Sequence, residues 1–287
     1  MKDFTFGQYY PSGSIIHRLD ARAKLVISLL YMIAVFFIKS YSVFAMSFVF
    51  LLSIILISKV PLRTVLKSVK AIFFLLLFTS LLNILFYHEG TVIWSWWVIK
   101  ITWGGVHFAI KLTLRMSLLV MGMSLLTFTT TPTELTDGIE SLLKPLTLIK
   151  VPTHDIALVM SIALRFIPGL IEETDKIMMA QKARGAELDT GGLIKKIKAM
   201  LPVIIPLFVS SFRKADELAD ALDARCYKAS PHRQKMKVLK FGWRDAIALV
   251  VVLAVFVLIL LDAYLVGGDI GIDKYVVALL RSWGMQC

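Results

Sequence analysis

The chain has 287 residues, 57% of them apolar before glycine is counted. With the 16 glycines the apolar share reaches about 63%, against roughly 45–50% in soluble globular domains, so neither a soluble two-domain protein nor a disordered chain fits. The class that remains is an all-α integral membrane protein, and 32 Lys+Arg against 20 Asp+Glu, a formal charge of +12, point to loops facing the cytoplasm and anionic lipid instead of nucleic acid.

Uncharged apolar runs predict about five spanning helices, over residues 25–38, 40–58, 71–87, 116–131 and 246–261. The fourth is entered earlier, through residues 103–110. Most runs are at or below the roughly 17–25 residues a span needs, and flanking Lys and Arg extend them by snorkelling. Asp20 suits an N-cap for the first span, with Arg22 and Lys24 as inside anchors. Three regions follow: residues 1–131 with spans one to four, 132–244 as a cytoplasmic block, and 245–287 with the last span and an external tail.

The basic residues set the orientation. With the N-terminus inside, segments 1–24, 59–70 and 129–244 carry 4, 4 and 18 Lys+Arg, whereas the outside holds only Lys39, Lys100, Lys274 and Arg281. That 26 to 4 split places the C-terminus outside. Lys111 and Arg115, one turn apart in the fourth span, are read as snorkelling toward an outer belt of Trp94, Trp96, Trp97 and Trp103. An ion or substrate path is the alternative.

Residues 129–244 are too long for a loop and too apolar for a solvated domain. Thr133 can cap a helix from about Glu134 to Leu143. Residues 154–184 read as a second helical stretch, bent at Pro168-Gly169, and 193–226 as a third, bent around Pro202 and Pro206. Their apolar cores, 156–164 and 199–212, are too short or too proline-rich for spans, so both are read as long amphipathic helices at the membrane surface.

The ends of these two stretches align without gaps. Asp175-Lys-Ile-Met-Met-Ala-Gln-Lys-Ala-Arg-Gly185 and Asp216-Glu-Leu-Ala-Asp-Ala-Leu-Asp-Ala-Arg-Cys226 share Asp175/Asp216, Ala180/Ala221, Ala183/Ala224 and Arg184/Arg225. Each arginine lies seven residues, nearly two turns, after an apolar-face residue (Ile177 or Leu218), so it extends in line with the apolar stripe. Two such arginines, each followed by a small residue and a break, point to paired docking tips for a soluble, partly acidic partner with two similar grooves. Arginine suits that task, because it stays charged when desolvated and offers five donors. The plainer alternative is that each closes its helix by complementing the dipole.

Catalytic signatures are missing. No Gly-x4-Gly-Lys-Ser/Thr occurs, so the chain has no phosphate-cradling P-loop and is expected not to hydrolyse ATP itself. His-Glu-x-x-His and Cys-x-x-Cys are absent, and two cysteines, Cys226 and Cys287, make neither a metal cluster nor a disulfide framework. Ser141-Leu-Leu-Lys144 lacks the companion motifs of a Ser-x-x-Lys enzyme. Ser124 and His107 lie about 26 Å apart along one helix at ~1.5 Å per residue, too far for a hydrogen bond.

These residues also carry a resemblance. The chain resembles the transmembrane T component of energy-coupling factor (ECF) transporters, the family that includes the cobalt-transport Q component, over nearly its whole length. The opening Gly7-Gln-Tyr-Tyr-Pro-Ser-Gly-Ser14 and His17-Arg-Leu-Asp-Ala-Arg-Ala-Lys-Leu25 are similar to the family's first segment. More specific are Ala183-Arg184-Gly185 and Ala224-Arg225-Cys226, which match the motifs at the ends of that family's coupling helices. The resemblance implies that these six residues dock into two ABC-type ATPases, which bind the ATP and Mg, and that the helices carry a small substrate-binding membrane protein, the S component. It further implies uptake of a vitamin or metal ion across a prokaryotic cell membrane, and no cofactor held by this chain. Cys226 departs mildly from the Ser or Gly found at the third motif position. A conventional permease is the competing reading, with only Asn83, Lys111 and Arg115 as polar groups near mid-membrane.

Overall fold

The computed structural model describes residues 9–87, 91–96, 99–145, 153–186, 192–227 and 241–265, with the side chains of 93–96, 99, 100, 153, 154, 193–195 and 265 left aside. Cys287, Lys274, Arg281, Trp97 and the side chains of Trp94 and Trp96 therefore lie outside the described residues. In chain order the elements are α1 (Ala21–Phe37), α2 (Tyr41–Ser58), α3 (Leu62–Phe86), β1 (Val92–Trp96), β2 (Ile99–Thr102), α4 (Trp103–Thr129), α5 (Pro132–Leu143), α6 (Thr153–Ala183), α7 (Leu193–Ala224) and α8 (Trp243–Leu265). The fold is helical as expected, with one addition: β1 and β2 pair antiparallel between α3 and α4, in a register that sets Trp96 opposite Ile99.

Among the described residues four helices are long and apolar enough to cross a membrane: α2, α3, α4 and α8. With 17 residues, α1 sits at the lower end of the roughly 17–25 that crossing takes. Helix α4 runs unbroken from Trp103, so the expected early entry into the fourth span is present. Helix α3 begins nine residues before the charge-free run, at Leu62. Arg63, Lys67 and Lys70 occupy its first turns, and as straight-chain residues they favour helix. Charge marks where the apolar run stops, not where the helix does. Only Val65 and Leu76 of α3 are buried, while Phe73, Phe74, Phe78 and Leu81 are exposed on the helix, as lipid-facing side chains are.

Contacts divide the chain into two units, residues 1–139 with 239–287, and residues 140–238. In the first, α4 packs on α1, α2 and α3, and α8 packs on α1. Tyr31, Val35, Ile38, Phe44, Ile55 and Phe128 belong to its core. Gly122 makes the α1–α4 approach possible, since a Cβ there would lie 2.4 Å from Cε1 of Tyr31.

Polar side chains fasten the ends of these helices. Asp20 caps α1 as expected, its carboxylate accepting the Arg22 amide at 3.0 Å. Lys24 is not an interfacial anchor. It is 5% exposed, and its ammonium donates to the carbonyls of His17 at 3.0 Å and Thr129 at 2.8 Å. The last carbonyls of a helix have no partner within it, and Lys24 supplies one for α4. Asp245, in the first turn of α8, accepts the Asp20 amide at 2.8 Å and the Gly242 amide at 2.8 Å. One carboxylate thereby joins the starts of α1 and α8. Ahead of α1, the His17 ring donates to the Tyr10 carbonyl at 2.8 Å and takes the Ser14 hydroxyl at 2.7 Å.

Lys111 and Arg115 find protein partners at the corner between α1 and α2. Arg115 donates to the Ile38 carbonyl at 2.8 Å, closing the C-terminus of α1, and the Lys111 ammonium lies 4.8 Å from the centre of the Tyr41 ring. Tyr41 in turn bonds His107 at 2.7 Å. All three α4 side chains hold the corner between α1 and α2. The cap of α5 is also shifted from the expected Thr133: the Thr131 hydroxyl accepts the Glu134 amide at 3.3 Å, and Pro132 takes the first helical position, where no amide is needed.

Candidate functional site

The second unit contains α6 and α7, which pack on each other. Both pass through prolines, Pro168 in α6 and Pro202 and Pro206 in α7, without ending there. Their observed bounds fall within two residues of the stretches read from the sequence. Helix α7 exposes a long apolar stripe that includes Ile197, Leu201, Ile204, Phe208 and Phe212. A face of that size on a helix is a contact surface for lipid or for another protein.

The two arginine motifs occupy the same place in the same backbone structure. At the end of α6, the Gly185 amide donates to Lys182 O at 3.0 Å and the Ala186 amide to Gln181 O at 3.0 Å. At the end of α7, the Cys226 amide donates to Asp223 O at 2.8 Å and the Tyr227 amide to Leu222 O at 2.9 Å. Each pair spans three and five residues backwards, the pattern of a Schellman cap. Arg184 and Arg225 are the C-cap residues, Ala183 and Ala224 the last helical ones, and Gly185 and Cys226 the residues that turn the chain. The turning residue must be left-handed, and it is: φ is +87° at Gly185 and +52° at Cys226.

This geometry explains the small third residue. A left-handed conformation costs a non-glycine residue about 1–2 kcal/mol, and a large side chain beside the arginine would crowd any groove that receives it. Cys226 is free and exposed, tolerated at some backbone cost. Both guanidinium-bearing residues are exposed, as are Ala183, Ala224 and Gly185.

One residue pair escaped the sequence reading. Glu173 of α6 accepts hydrogen bonds from Lys214 and Ser210 of α7, and it forms an ion pair with Lys214. The Lys214 and Ser210 hydrogen bonds hold the Glu173 carboxyl below the usual carboxylate range. In the frame that aligns Arg184 with Arg225, Glu173 aligns with Lys214. The clasp thus joins equivalent positions of the two helices, and each arginine lies eleven residues beyond it, about 16 Å along a helix at ~1.5 Å per residue. The alignment offset was the signal that could have exposed it.

The groups a permease path would use are engaged elsewhere. Asn83 donates to Thr79 O of its own helix at 2.8 Å, Arg115 is bound to Ile38 O, and Lys111 lies against Tyr41.

Several apolar spanning helices, followed by a pair of long amphipathic helices with matched ends, define a multi-pass membrane protein. Residues 12–236 match the CbiQ family, described as cobalt transport protein. The energy-coupling factor transporter transmembrane protein EcfT of Ruminiclostridium cellulolyticum is 48% identical over 247 residues, 86% of this chain and 92% of that protein. EcfT of Clostridium kluyveri is 50% identical over 250 residues, with 86% and 92% covered, and EcfT of Bacillus subtilis is 42% identical over 250 residues, with 87% and 94% covered. The chain belongs to the CbiQ family and, within it, to the EcfT transmembrane components of ECF transporters.

Proposed function

We propose that this chain couples a pair of cytoplasmic ABC-type ATPases to a small substrate-binding membrane protein, and so drives uptake of a vitamin or metal ion. In this reading residues 129–244 and the N-terminus are cytoplasmic and the C-terminus is external, as the 26 to 4 basic split favours. ATP and Mg are bound by the partner subunits. Ala183-Arg184-Gly185 and Ala224-Arg225-Cys226 each enter a groove on one ATPase.

The observation that carries the reading is the matched pair of Schellman-capped arginines set at equal distances from the Glu173–Lys214 clasp. The cap fixes the backbone on both sides of each arginine, so the guanidinium is presented from a rigid end and not from a loop. When ATP draws the two ATPases together, the tips move with them. The clasp gives α6 and α7 a common fulcrum, which turns motion of the tips into motion of the opposite ends of the helices. The exposed apolar stripe of α7 is the surface through which that motion reaches the substrate-binding protein. Arginine offers paired donors that lysine lacks, and a groove lined with carboxylates or carbonyls would take both tips alike.

Purification of the tagged chain in mild detergent tests the assignment. Two nucleotide-binding subunits and a small apolar membrane protein are expected to accompany it. Substrate uptake into liposomes containing this chain alone would overturn it.

A further inference from the structure

Two cavities in the first unit adjoin one another where α1 and α8 begin and α2 ends. The inner one, about 290 Å³, is lined by Tyr31, Phe50, Ile54, Leu126 and Val251 among others. Its serine and threonine hydroxyls are turned away: Ser28 donates to Leu25 O, Ser53 to Val49 O and Thr129 to Leu125 O. The ammonium of Lys24, its one charged lining residue, is taken up by His17 O and Thr129 O. What the cavity offers an occupant is therefore hydrocarbon.

The outer cavity, about 680 Å³, shares Ile16, Leu19, Ile57 and Ala248 with the inner one, so the two adjoin. Among the described residues its lining includes three cations, Arg18, Lys59 and Arg244, and no acidic residue. The nearby carboxylates are committed to backbone amides, Asp20 to Arg22 and Asp245 to Asp20 and Gly242. Trp243, 71% exposed, stands at the rim, where an amphipathic ring suits the level of lipid headgroups.

We propose that the two cavities form one binding site for an anionic phospholipid, with the headgroup phosphate among Arg18, Lys59 and Arg244 and an acyl chain in the apolar cavity. Neither half suffices for the assignment. Three basic residues at a membrane edge attract any anionic surface, and an apolar cleft in a membrane takes any acyl chain. Their adjacency selects a molecule carrying both chemistries at neighbouring positions. Charge complementarity makes it anionic, and a zwitterionic lipid would bring a cation into a site that already holds three. The site belongs to the membrane unit and is independent of ATPase docking.

The test is native mass spectrometry of the full purified chain, delipidated and then exposed to mixed micelles of phosphatidylglycerol or phosphatidylcholine with the same acyl chains. With each basic residue near an anionic headgroup contributing to affinity, wild type should retain phosphatidylglycerol over phosphatidylcholine by about tenfold or more. Arg18→Gln/Lys59→Gln/Arg244→Gln should abolish the preference, and all three are exposed positions whose change spares the core. Arg63→Gln/Lys67→Gln/Lys70→Gln removes the same charge from the start of α3 and should leave it intact. Ala248→Trp, which fills the shared wall, should lower retention while the cations remain. Inorganic phosphate should not displace the bound lipid. Absence of headgroup preference, an equal loss in the α3 control, or displacement by phosphate alone would each overturn the proposal. Loss of ATPase recovery in the first triple variant with lipid retention unchanged would make this face a protein contact instead.

Discussion

Exchanging the turning residues of the two tips isolates what their shared backbone contributes. Gly185 has φ +87° and a Cβ added to it would meet nothing within 4 Å. Gly185→Ala therefore brings no clash, and its effect is the left-handed penalty less the freedom alanine removes from the unfolded chain, about 1 kcal/mol net. Cys226 already bears that penalty at φ +52°, so Cys226→Gly should relieve a similar amount, less the extra freedom glycine gives the unfolded chain. Amide hydrogen exchange reads both changes locally, because the Ala186 and Tyr227 amides close the two caps through Gln181 O and Leu222 O. A 1 kcal/mol shift in local opening changes exchange about fivefold. Peptides covering Ala186 should exchange about fivefold faster in Gly185→Ala, and those covering Tyr227 should slow in Cys226→Gly by up to the same factor, with peptides of α1 to α4 unchanged. Equal exchange in wild type and both variants would refute the view that the third motif position is set by backbone conformation.

Four other outcomes follow from named contacts. Glu173→Ala should lower transport while ATPase recovery is retained, and Lys214→Ala should add little to it, because both remove one clasp; strictly additive losses in uptake would contradict a shared fulcrum. Since the folded-state Glu173 carboxyl lies below its usual value, the clasp is complete above the ordinary glutamate range and is lost as pH falls through the depressed folded value. Coupling should accordingly be insensitive to pH between 6 and 8, which uptake assays at fixed ATP can check. Lys24→Met leaves the Thr129 carbonyl unpaired inside the protein, a loss of about 1–3 kcal/mol; a thermal midpoint equal to wild type would return Lys24 to the status of a surface anchor. Gly122→Ala drives a methyl into the Tyr31 ring and should cost about 1–3 kcal/mol by overpacking, with Tyr31→Leu in the same chain restoring part of the melting temperature.

Local patterns were legible in the sequence, and long-range ones were not. The bounds of α6 and α7, the Asp20 cap and the common frame of the two arginines all depend on residues within a few turns of each other. Lys24 was misread, and the partner of Arg115 went unforeseen, because the groups they bond lie 105 and 77 residues away. A basic residue beside an apolar run looks the same whether it reaches water or the unpaired carbonyl of another helix. The β1–β2 hairpin escaped because its Trp-rich segment reads as an interfacial belt, and a lone two-stranded ribbon is marginal without its neighbours. The left-handed turn after each arginine was only half visible: Gly185 announces it, whereas Cys226 does not. The clasp was hidden for another reason, since opposite charges at aligned positions look like divergence between repeats until the helices are seen to touch there.

The central claim is that Arg184 and Arg225 dock the ATPases, and co-purification measures it most directly. The quantity to compare is ATPase recovered per membrane-inserted chain for wild type, Arg184→Ala, Arg225→Ala and the double variant. A guanidinium seated in a partner groove leaves buried acceptors unpaired when removed, about 2–5 kcal/mol per site, whereas a cation that only complements a helix dipole contributes about 0.3–1 kcal/mol. Each single variant should therefore lose most of the bound ATPase, lysine substitutions should restore part of it, and the double variant should fall below either single one through lost avidity. Wild-type ATPase recovery in the double variant, with wild-type transport, would contradict the account and leave both arginines as ordinary helix caps.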